Sequence, residues 1–150
     1  MTYDVMAIIR SIMEGTAEGG PPPFSIHMGL DKTLITVRAE VGEIDMDWHV
    51  AAELCHRDGM VQGGIINVVA DSAQSFAFWS TSKEPESYST TDFHTRFIRP
   101  IMAGSTIRLE SRVVNRSRRT GTVETRFVDP ATGKIHATVS GGWVLVNRDL

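Results

Sequence analysis

Two glycines and one aspartate on a single apolar segment are the residues of this chain best suited to chemistry. Gly63 and Gly64 open a run of apolar residues, and Asp71 lies two helical turns inside it. Glycines at a helix start leave backbone N–H groups facing outward. A lone carboxylate on an apolar helix is costly unless it has a partner or a role. Donors for an oxyanion, with a carboxylate that can attack or accept a proton, are the parts of an acyl-transfer site.

The elements that must position these residues follow from the hydrophobic periods. Helical periodicity predicts a helix within residues 2–14, capped by Thr2 or Asp4, and a long central helix over residues 63–81. A period of two is typical of half-buried strands. It occurs at residues 35–41, 88–98, 106–114, 122–128 and 135–146.

The connecting segments carry turn residues. Three glycines and three prolines make residues 15–23 a connector. The first strand is expected to begin near Ser25, with a turn at residues 29–32. Residues 42–61 show no clear period and predict a long loop, shortened by a brief helix near residues 49–54. Hairpin turns are predicted at residues 118–121 and 129–134.

The central helix carries a broad apolar stripe opposite a narrow polar one. The face opposite the apolar stripe carries four polar residues and one aromatic residue, namely Asn67, Asp71, Gln74, Ser75 and Phe78. A run of antiparallel hairpins needs one face covered, and this helix is the natural cover. We therefore expect an α+β fold in a single domain over residues 1–150, of which residues 1–23 are the N-terminal helix and connector.

Composition narrows the function classes. The 150 residues carry a formal charge of −3, which argues against non-specific nucleic-acid binding. No apolar run is long enough to span a membrane, and the N-terminus lacks the charged region of a signal peptide. Cys55 is the only cysteine, so an internal disulfide is ruled out and a reducing compartment is favoured. We expect a cytoplasmic protein that interacts with neither nucleic acid nor membrane.

Residues 56–77 resemble the signature of the PaaI-like acyl-CoA thioesterases, which have the hotdog fold. Residues 92–104, with the Arg99-Pro100 corner, resemble the strand that follows it in that family. The resemblance extends over residues 24–146 and implies a sheet wrapped around a long central helix. The signature residues that match in register are Gly59, Gly63, Gly64 and Asp71.

The resemblance implies hydrolysis of a small or medium acyl-CoA, aliphatic or aromatic. Asp71 would act as nucleophile or general base, and the Gly63 N–H would polarise the thioester carbonyl. Ser75, one turn after the acid, would hold the attacking water. No cofactor is implied, since coenzyme A enters only as part of the substrate.

Two residues depart from the family signature. His56 stands where asparagine is usual and can still orient water or the acid, because imidazole both donates and accepts. Gln62 stands where histidine is usual, and it either preserves a hydrogen bond or marks a member that binds acyl-CoA without fast turnover. A non-catalytic acyl-CoA-binding module is therefore an alternative. A hotdog hydratase is another, although Asp47 and His49 do not form its motif.

Gly64 and four arginines are candidates for contact with coenzyme A, whose phosphates need cationic partners. The arginines are Arg99, Arg116, Arg118 and Arg119. A solvated hairpin tip is the competing interpretation of the last three. No metal site is expected, because the histidines lack ligand spacing.

Several neighbouring residues have both a chemical and a structural interpretation. Cys55 adjoins His56, but adjacent side chains rarely point at each other, so a small buried hydrophobe is favoured over a nucleophile. Apolar residues that either shape an acyl pocket or belong to the core are Met60, Phe76, Phe78 and Trp79.

The spacing of Gly63 and Asp71 constrains any joint role. Eight residues of helix separate them by about 12 Å along the axis, so one carbonyl cannot contact both. If both act, they come from two chains that meet near this helix, with two equal sites related by a two-fold axis. A catalytic site therefore predicts a homodimer, or a homotetramer built as a dimer of dimers.

Overall fold

A six-stranded antiparallel sheet wraps around one long helix. The computed structural model describes residues 2–146; the predicted domain also includes Met1 and residues 147–150, which lie outside the described range. The strands are β1 (Leu34–Glu40), β2 (Glu43–His49), β3 (Ser87–Phe97), β4 (Thr106–Arg116), β5 (Thr120–Val128) and β6 (Ile135–Val146). Their order in the sheet is β1-β2-β4-β5-β6-β3. The predicted α+β arrangement is therefore observed.

The central helix, Gly63–Trp79, buries its broad apolar stripe against the sheet. Three of its fully inaccessible positions are small, namely Ala70, Ala73 and Ala77. Small side chains allow the helix to approach the sheet closely, and the large residues Trp48 and Phe127 fill the space on the strand side. Burial of each such large side chain stabilises the fold by about 1.5–3 kcal/mol.

The N-terminal segment, residues 5–33, packs over the outer side of the central helix and β1. It contains α1 (Val5–Met13), α2 (Pro23–His27) and α3 (Leu30–Thr33), so the central helix is α4. Of the two predicted caps, Asp4 acts, since its carboxylate accepts from the Ala7 N–H at 3.0 Å.

The expected strand start near Ser25 is wrong, because residues 23–33 form two short helices. Pro23 occupies the first turn of α2, where its fixed φ favours a helix. Gly29 then adopts a left-handed conformation with φ of 68° and separates the two helices.

The long loop predicted for residues 42–61 is also wrong, because β2 occupies its first part. Ile44, Met46 and Trp48 are buried and alternate with acidic residues that point outward. Acidic residues disfavour strands in isolation. Here arginines of the neighbouring β4 offset their charge, as Arg108 does for Asp47 at 2.8 Å. The predicted short helix is present as a 3-10 turn at Ala52–Leu54.

The four C-terminal strands lie where the sequence predicted them. The first hairpin is tighter than expected, because Thr120 and Gly121 already belong to β5. A side chain at Gly121 would lie 2.9 Å from the Asn115 carbonyl oxygen, so glycine permits this pairing. The second hairpin turn is as predicted, with Gly133 at φ of 74°. No helix within residues 2–146 has the length and hydropathy to cross a membrane.

The two edges of the sheet differ in what lies beside them. β1 is covered by the N-terminal segment, whereas β3 pairs with β6 on one side and with no other described strand on the other. An unpaired edge offers a row of backbone donors and acceptors to a second chain. The polar side of α4 lies against this same strand.

Candidate active site

The start of α4 presents two backbone donors. Gly63 and Gly64 follow the N-cap residue Gln62, whose side chain makes no capping bond. No acceptor within residues 2–146 binds either glycine N–H. These groups lie at the positive end of the helix dipole, which favours an anion or a polarised carbonyl oxygen. A Cβ at Gly63 would lie 3.2 Å from the Phe97 ring, so the site needs a small residue there.

Asp71 lies two turns further along α4 and is half-buried. Its Oδ1 accepts a hydrogen bond from the Thr90 hydroxyl on β3 at 2.6 Å. Among the described residues, no arginine, lysine or histidine is within ion-pair distance of this carboxylate. Thr90 therefore fixes the orientation of Asp71 without neutralising its charge.

Asn67 occupies the turn between the glycine donors and Asp71. The Thr95 hydroxyl of β3 donates a short hydrogen bond to its side-chain oxygen. A polar seam therefore runs between α4 and the edge strand, with Phe97, Thr95 and Thr90 of β3 facing successive turns of the helix.

Sequence reasoning missed the threonines of this seam. Alternation from Thr95 and Phe97 places odd-numbered residues of β3 toward the helix, which would select Thr91. A β-bulge between Thr90 and Asp92 changes the phase, so Thr90 faces the helix instead. Nothing in the sequence marks a bulge at this position.

Tyr88 adds a neutral phenol beside the carboxylate. Its ring packs edge-on or tilted against Phe78, Trp79 and Trp143, with centroids 5.8–6.4 Å apart. Burial, with smaller contributions from Tyr3 and Asp71, raises the pKa of Tyr88 to about 12. The phenol is therefore protonated at neutral pH. Tyr3 itself is held by the Trp79 indole N–H, which donates to its hydroxyl at 3.0 Å.

Ser75, expected to hold water for Asp71, has a different bond. Its hydroxyl donates to the Ser72 carbonyl oxygen in its own helix at 2.8 Å. Short hydroxyl side chains in helices commonly bond a carbonyl of the preceding turn. The hydroxyl that contacts Asp71 is that of Thr90, while Ser75 lines a cavity beneath the N-terminal segment.

His56 and Gln62 lie together near the helix start. Cys55 and Val61 pair across a short ribbon, the His56 N–H donates to Met60 O at 2.8 Å, and the Gln62 N–H donates to Leu54 O at 3.3 Å. Cys55 and Val61 point inward, and His56 and Gln62 each follow one of them in sequence. Because side chains alternate between the two faces of a strand, His56 and Gln62 share the exposed face of the ribbon. They border Gly63 rather than Asp71 of the same chain.

The arginine candidates separate into two locations. Arg116, Arg118 and Arg119 lie beyond the C-terminal end of α4, whereas Arg99 lies near its start, across a helix roughly 25 Å long. Arg116 serves the fold: it donates to Thr81 at 2.9 Å and lies 4.6 Å from the Phe78 ring centroid. The exposed Arg99, Arg118 and Arg119 are better placed to reach a ligand.

Other residues with a suggested chemical role are accounted for by packing. Cys55 is half-buried, and burial raises the pKa of its thiol, which disfavours the nucleophilic thiolate. Phe78 belongs to the core, Trp79 packs against Tyr88, and Met60 is exposed beside Met102.

A hydratase-like acid–histidine pair is not formed by Asp47 and His49. Asp47 is held by Arg108, and His49 lies 2.9 Å from the Thr106 hydroxyl. Within the described range, His, Cys, Asp and Glu form no group of three that could ligate a metal ion.

The sequence model of the thioesterase superfamily matches residues 58–135, just over half of the chain and including the whole of α4. No functionally curated protein matches the chain.

Solved structures are similar over most of the chain. The E. coli PaaI protein from the phenylacetic acid degradation operon has a TM-score of 0.78 and 17% identity, covering 97% of this chain and 96% of its own. A mutant of PaaI from Thermus thermophilus has a TM-score of 0.71 and 25% identity, covering 83% and 100%. The Streptococcus mutans protein smu.793, solved with acetyl-CoA, has a TM-score of 0.71 and 17% identity, covering 77% and 90%. The predicted hotdog fold and PaaI-like resemblance are confirmed.

Proposed function

This chain belongs to the thioesterase superfamily, and from that premise we propose that it hydrolyses acyl-CoA thioesters to a free acid and coenzyme A. The acetyl-CoA bound to smu.793 supports coenzyme A thioesters as the ligand class. The likeness to PaaI proteins of phenylacetic acid degradation is consistent with a small or medium acyl group, aliphatic or aromatic.

The single observation that carries the proposal is the pairing of two features on α4. The helix start offers backbone donors with no acceptor among the described residues, and the same helix carries a carboxylate held by a hydroxyl rather than a cation. Fixed donors at a helix terminus stabilise a developing oxyanion by about 3 kcal/mol each. A carboxylate suffices as partner because thiolate leaves readily and needs no strong general acid.

A homodimer completes the proposed site. Gly63 and Asp71 are about 12 Å apart along one helix, too far for a single thioester. Asn67 lies midway between them, so a two-fold axis beside Asn67 brings Gly63 of one protomer toward Asp71 of its partner. The unpaired edge of β3 lies on this side of α4 and provides the surface through which two copies can pair.

Within this site the residues have separate tasks. Gly63 binds the thioester oxygen, and the unbonded oxygen of Asp71 either attacks the carbonyl carbon or removes a proton from water. Thr90 orients that carboxylate, and the neutral Tyr88 leaves its charge intact. His56 and Gln62, next to the helix start, are placed to orient substrate or water from the Gly63 side. Both chemical routes end in a free acid and a thiol.

The exposed arginines are the proposed contacts for the phosphates of coenzyme A. Arg99 lies near the helix start with Gly64, while Arg118 and Arg119 lie at the far end of α4. Guanidinium groups bind phosphate in bidentate geometry. In a two-fold dimer, opposite ends of the two helices approach each other, so either group can face the substrate.

The test is a coenzyme A release assay with acetyl-, hexanoyl-, octanoyl- and phenylacetyl-CoA. We expect turnover with at least one of them. Direct attack expels the thiolate and joins Asp71 to the acyl group as an anhydride, which water then opens. Single turnover in oxygen-18 water separates the two routes when water opens this anhydride at the Asp71 carboxyl carbon, because the label then stays on Asp71 and the product carries an Asp71 oxygen. Water activation instead places the label in the product at once.

The alternative is an acyl-CoA-binding protein without turnover. Gln62 in place of the usual signature histidine is the observation that favours it. Calorimetric binding of the same compounds, with no release of thiol over the background rate, would establish this alternative and reject the enzyme.

A further inference from the structure

A cavity of about 500 Å³ lies between the N-terminal segment and the outer side of α4. Its volume falls within the range of about 300–1,000 Å³ that small-molecule sites occupy. Most of its inner wall is apolar. The principal apolar residues are Ile12, Met13, Leu34, Met46 and Phe76.

The floor of this cavity adjoins the turn of α4 that carries the candidate carboxylate. Ser72 follows Asp71 directly, and Ser75 lies one turn further, about 6 Å along the axis. Both hydroxyl protons are used within the helix, since Ser72 donates to Val68 O at 3.2 Å and Ser75 donates to Ser72 O at 2.8 Å. The side chains on the floor are therefore small, and neither serine has a free hydroxyl proton to donate to a polar ligand.

The roof of the cavity is held in place by the fold. Val5 and Ile9 of α1 are buried, and the Tyr3 hydroxyl accepts from the Trp79 indole N–H. Two wall residues, Met13 and Met46, have flexible thioether side chains that adapt to ligand shape. The N-terminal segment therefore forms a fixed, slightly adaptable lining over this part of α4.

The rim of the cavity is acidic. Glu14 and Asp31 both line it and are exposed, and neither forms an ion pair with a described residue. Two carboxylates at the opening repel an anionic group, while the apolar walls would leave a charge without a partner.

We propose that this cavity binds the acyl group of the substrate and selects uncharged aliphatic or aromatic acyl chains over those that end in a carboxylate. The proposal rests on the function proposed above. The thioester lies at Asp71, and the acyl chain passes over Ser75 and Ser72 into the space beneath the N-terminal segment. Coenzyme A extends in the opposite direction, along the seam with β3.

Two variants change the cavity in opposite directions. Ser72→Leu fills its floor, and we expect the ratio of kcat/KM for octanoyl-CoA to that for acetyl-CoA to fall by roughly tenfold, the effect of about two lost buried methylene groups. Met13→Ala enlarges it and should raise activity on lauroyl-CoA relative to octanoyl-CoA. Ile8→Ala, on the exposed side of the same helix α1, is the matched control and should leave both ratios unchanged.

Charge selection is tested on the wild-type enzyme and on Asp31→Asn. Succinyl-CoA should be a poorer substrate than its uncharged counterpart butyryl-CoA, and Asp31→Asn should reduce that preference. An equal preference in both proteins would overturn the role assigned to the rim.

A binding measurement separates this inference from the proposed hydrolysis. S-octyl-CoA and S-ethyl-CoA are uncleavable thioethers, and calorimetry should show tighter binding of the octyl compound, with the difference reduced in Ser72→Leu. Tail-dependent binding without turnover would reject the hydrolase but retain the acyl cavity. Suppose instead that the enzyme turns over, but Ser72→Leu and Met13→Ala change neither the kcat/KM ratios nor the thioether affinities. That result would retain the hydrolase and reject the acyl cavity. Equal binding of the two thioethers, or no binding of either, would also reject the acyl cavity.

Discussion

Carboxylates occur in two contrasting settings in this molecule. On the outer face of the sheet, Asp47 is bonded by Arg108 through both oxygens at 2.8 and 3.1 Å, and Asp45 lies 2.6 Å from Arg112. In the seam between α4 and β3, Asp71 is bonded only by a threonine hydroxyl at 2.6 Å among the described residues. Both settings are partly buried, but only the first neutralises the charge.

The difference indicates which carboxylates serve the fold and which one is available for chemistry. The paired residues allow acidic side chains to occupy β2, a strand they would otherwise disfavour. A hydroxyl, by contrast, fixes geometry and leaves the negative charge and one oxygen unused. A group that remains charged, oriented and accessible is suited to attack or to accept a proton.

Asp71→Asn is expected to lower activity more than any other single substitution that compares the two settings. It preserves the side-chain shape while removing the base or nucleophile, so kcat for acyl-CoA hydrolysis should fall about a thousandfold. The control is Asp47→Asn on the outer face, for which we expect nearly unchanged kcat. Steady-state assays decide this, and equal losses in the two variants would remove the distinction between the two settings.

Thr90→Val removes the hydroxyl that bonds Asp71, the carboxylate that has no arginine partner among the described residues. A hydrogen bond to a charged group contributes about 1.5–3 kcal/mol, so kcat should fall by about tenfold to a hundredfold. Thr90→Ser should recover most of the loss. Thr95→Val removes a hydroxyl from the same strand that bonds Asn67 instead, and it should have a smaller effect. If Thr95→Val were the more damaging change, Thr90 would not be the positioning residue.

The sequence predicted α4 correctly, because a helical period and a glycine pair are local signals. Thr90 was missed since a bulge in β3 reverses the alternation on which strand faces are assigned. Likewise β2 was missed because its outward residues are acidic, and two of them, Asp45 and Asp47, bond arginines more than 60 positions away. The bond from Ser75 to the Ser72 carbonyl oxygen could not be predicted, because spacing along a helix does not reveal where a hydroxyl donates.

Tyr88→Phe probes the neutral phenol beside Asp71 through pH. The pKa of Tyr88 is raised from 10 to about 12 by burial, so its contribution to stability is present below pH 10 and is lost as the pH rises through 12. Between these values the wild-type free energy of unfolding should fall with pH more steeply than that of the variant. Urea titrations at several pH values measure the two slopes, and parallel slopes would contradict the burial of the phenol.

Arg108→Met gives the smallest effect and tests the outer face. The pair with Asp47 is partly exposed, so we expect a loss of at most about 1 kcal/mol in unfolding free energy and no change in kcat. Thermal unfolding and the coenzyme A release assay measure the two quantities. A large loss of activity would show that the ion pairs also support the site.

A proline at the helix start removes one donor with little change to the backbone. Gly63 is the first residue of α4, where proline is well tolerated, and Gln62 already has the extended conformation that proline requires, with ψ of 131°. Gly63→Pro should therefore lower kcat by a hundredfold or more. Gly63→Ala adds the same contact with Phe97 but keeps the N–H, and it should be much less affected.

Mixing two inactive proteins tests the shared site most directly. Asp71→Asn and Gly63→Pro homodimers are each expected to be nearly inactive, but a mixed dimer contains one site with both native residues. After equal amounts are unfolded and refolded together, random pairing should restore about a quarter of wild-type activity. Activity that stays at the level of the separate variants would show that Gly63 and Asp71 do not act across two subunits.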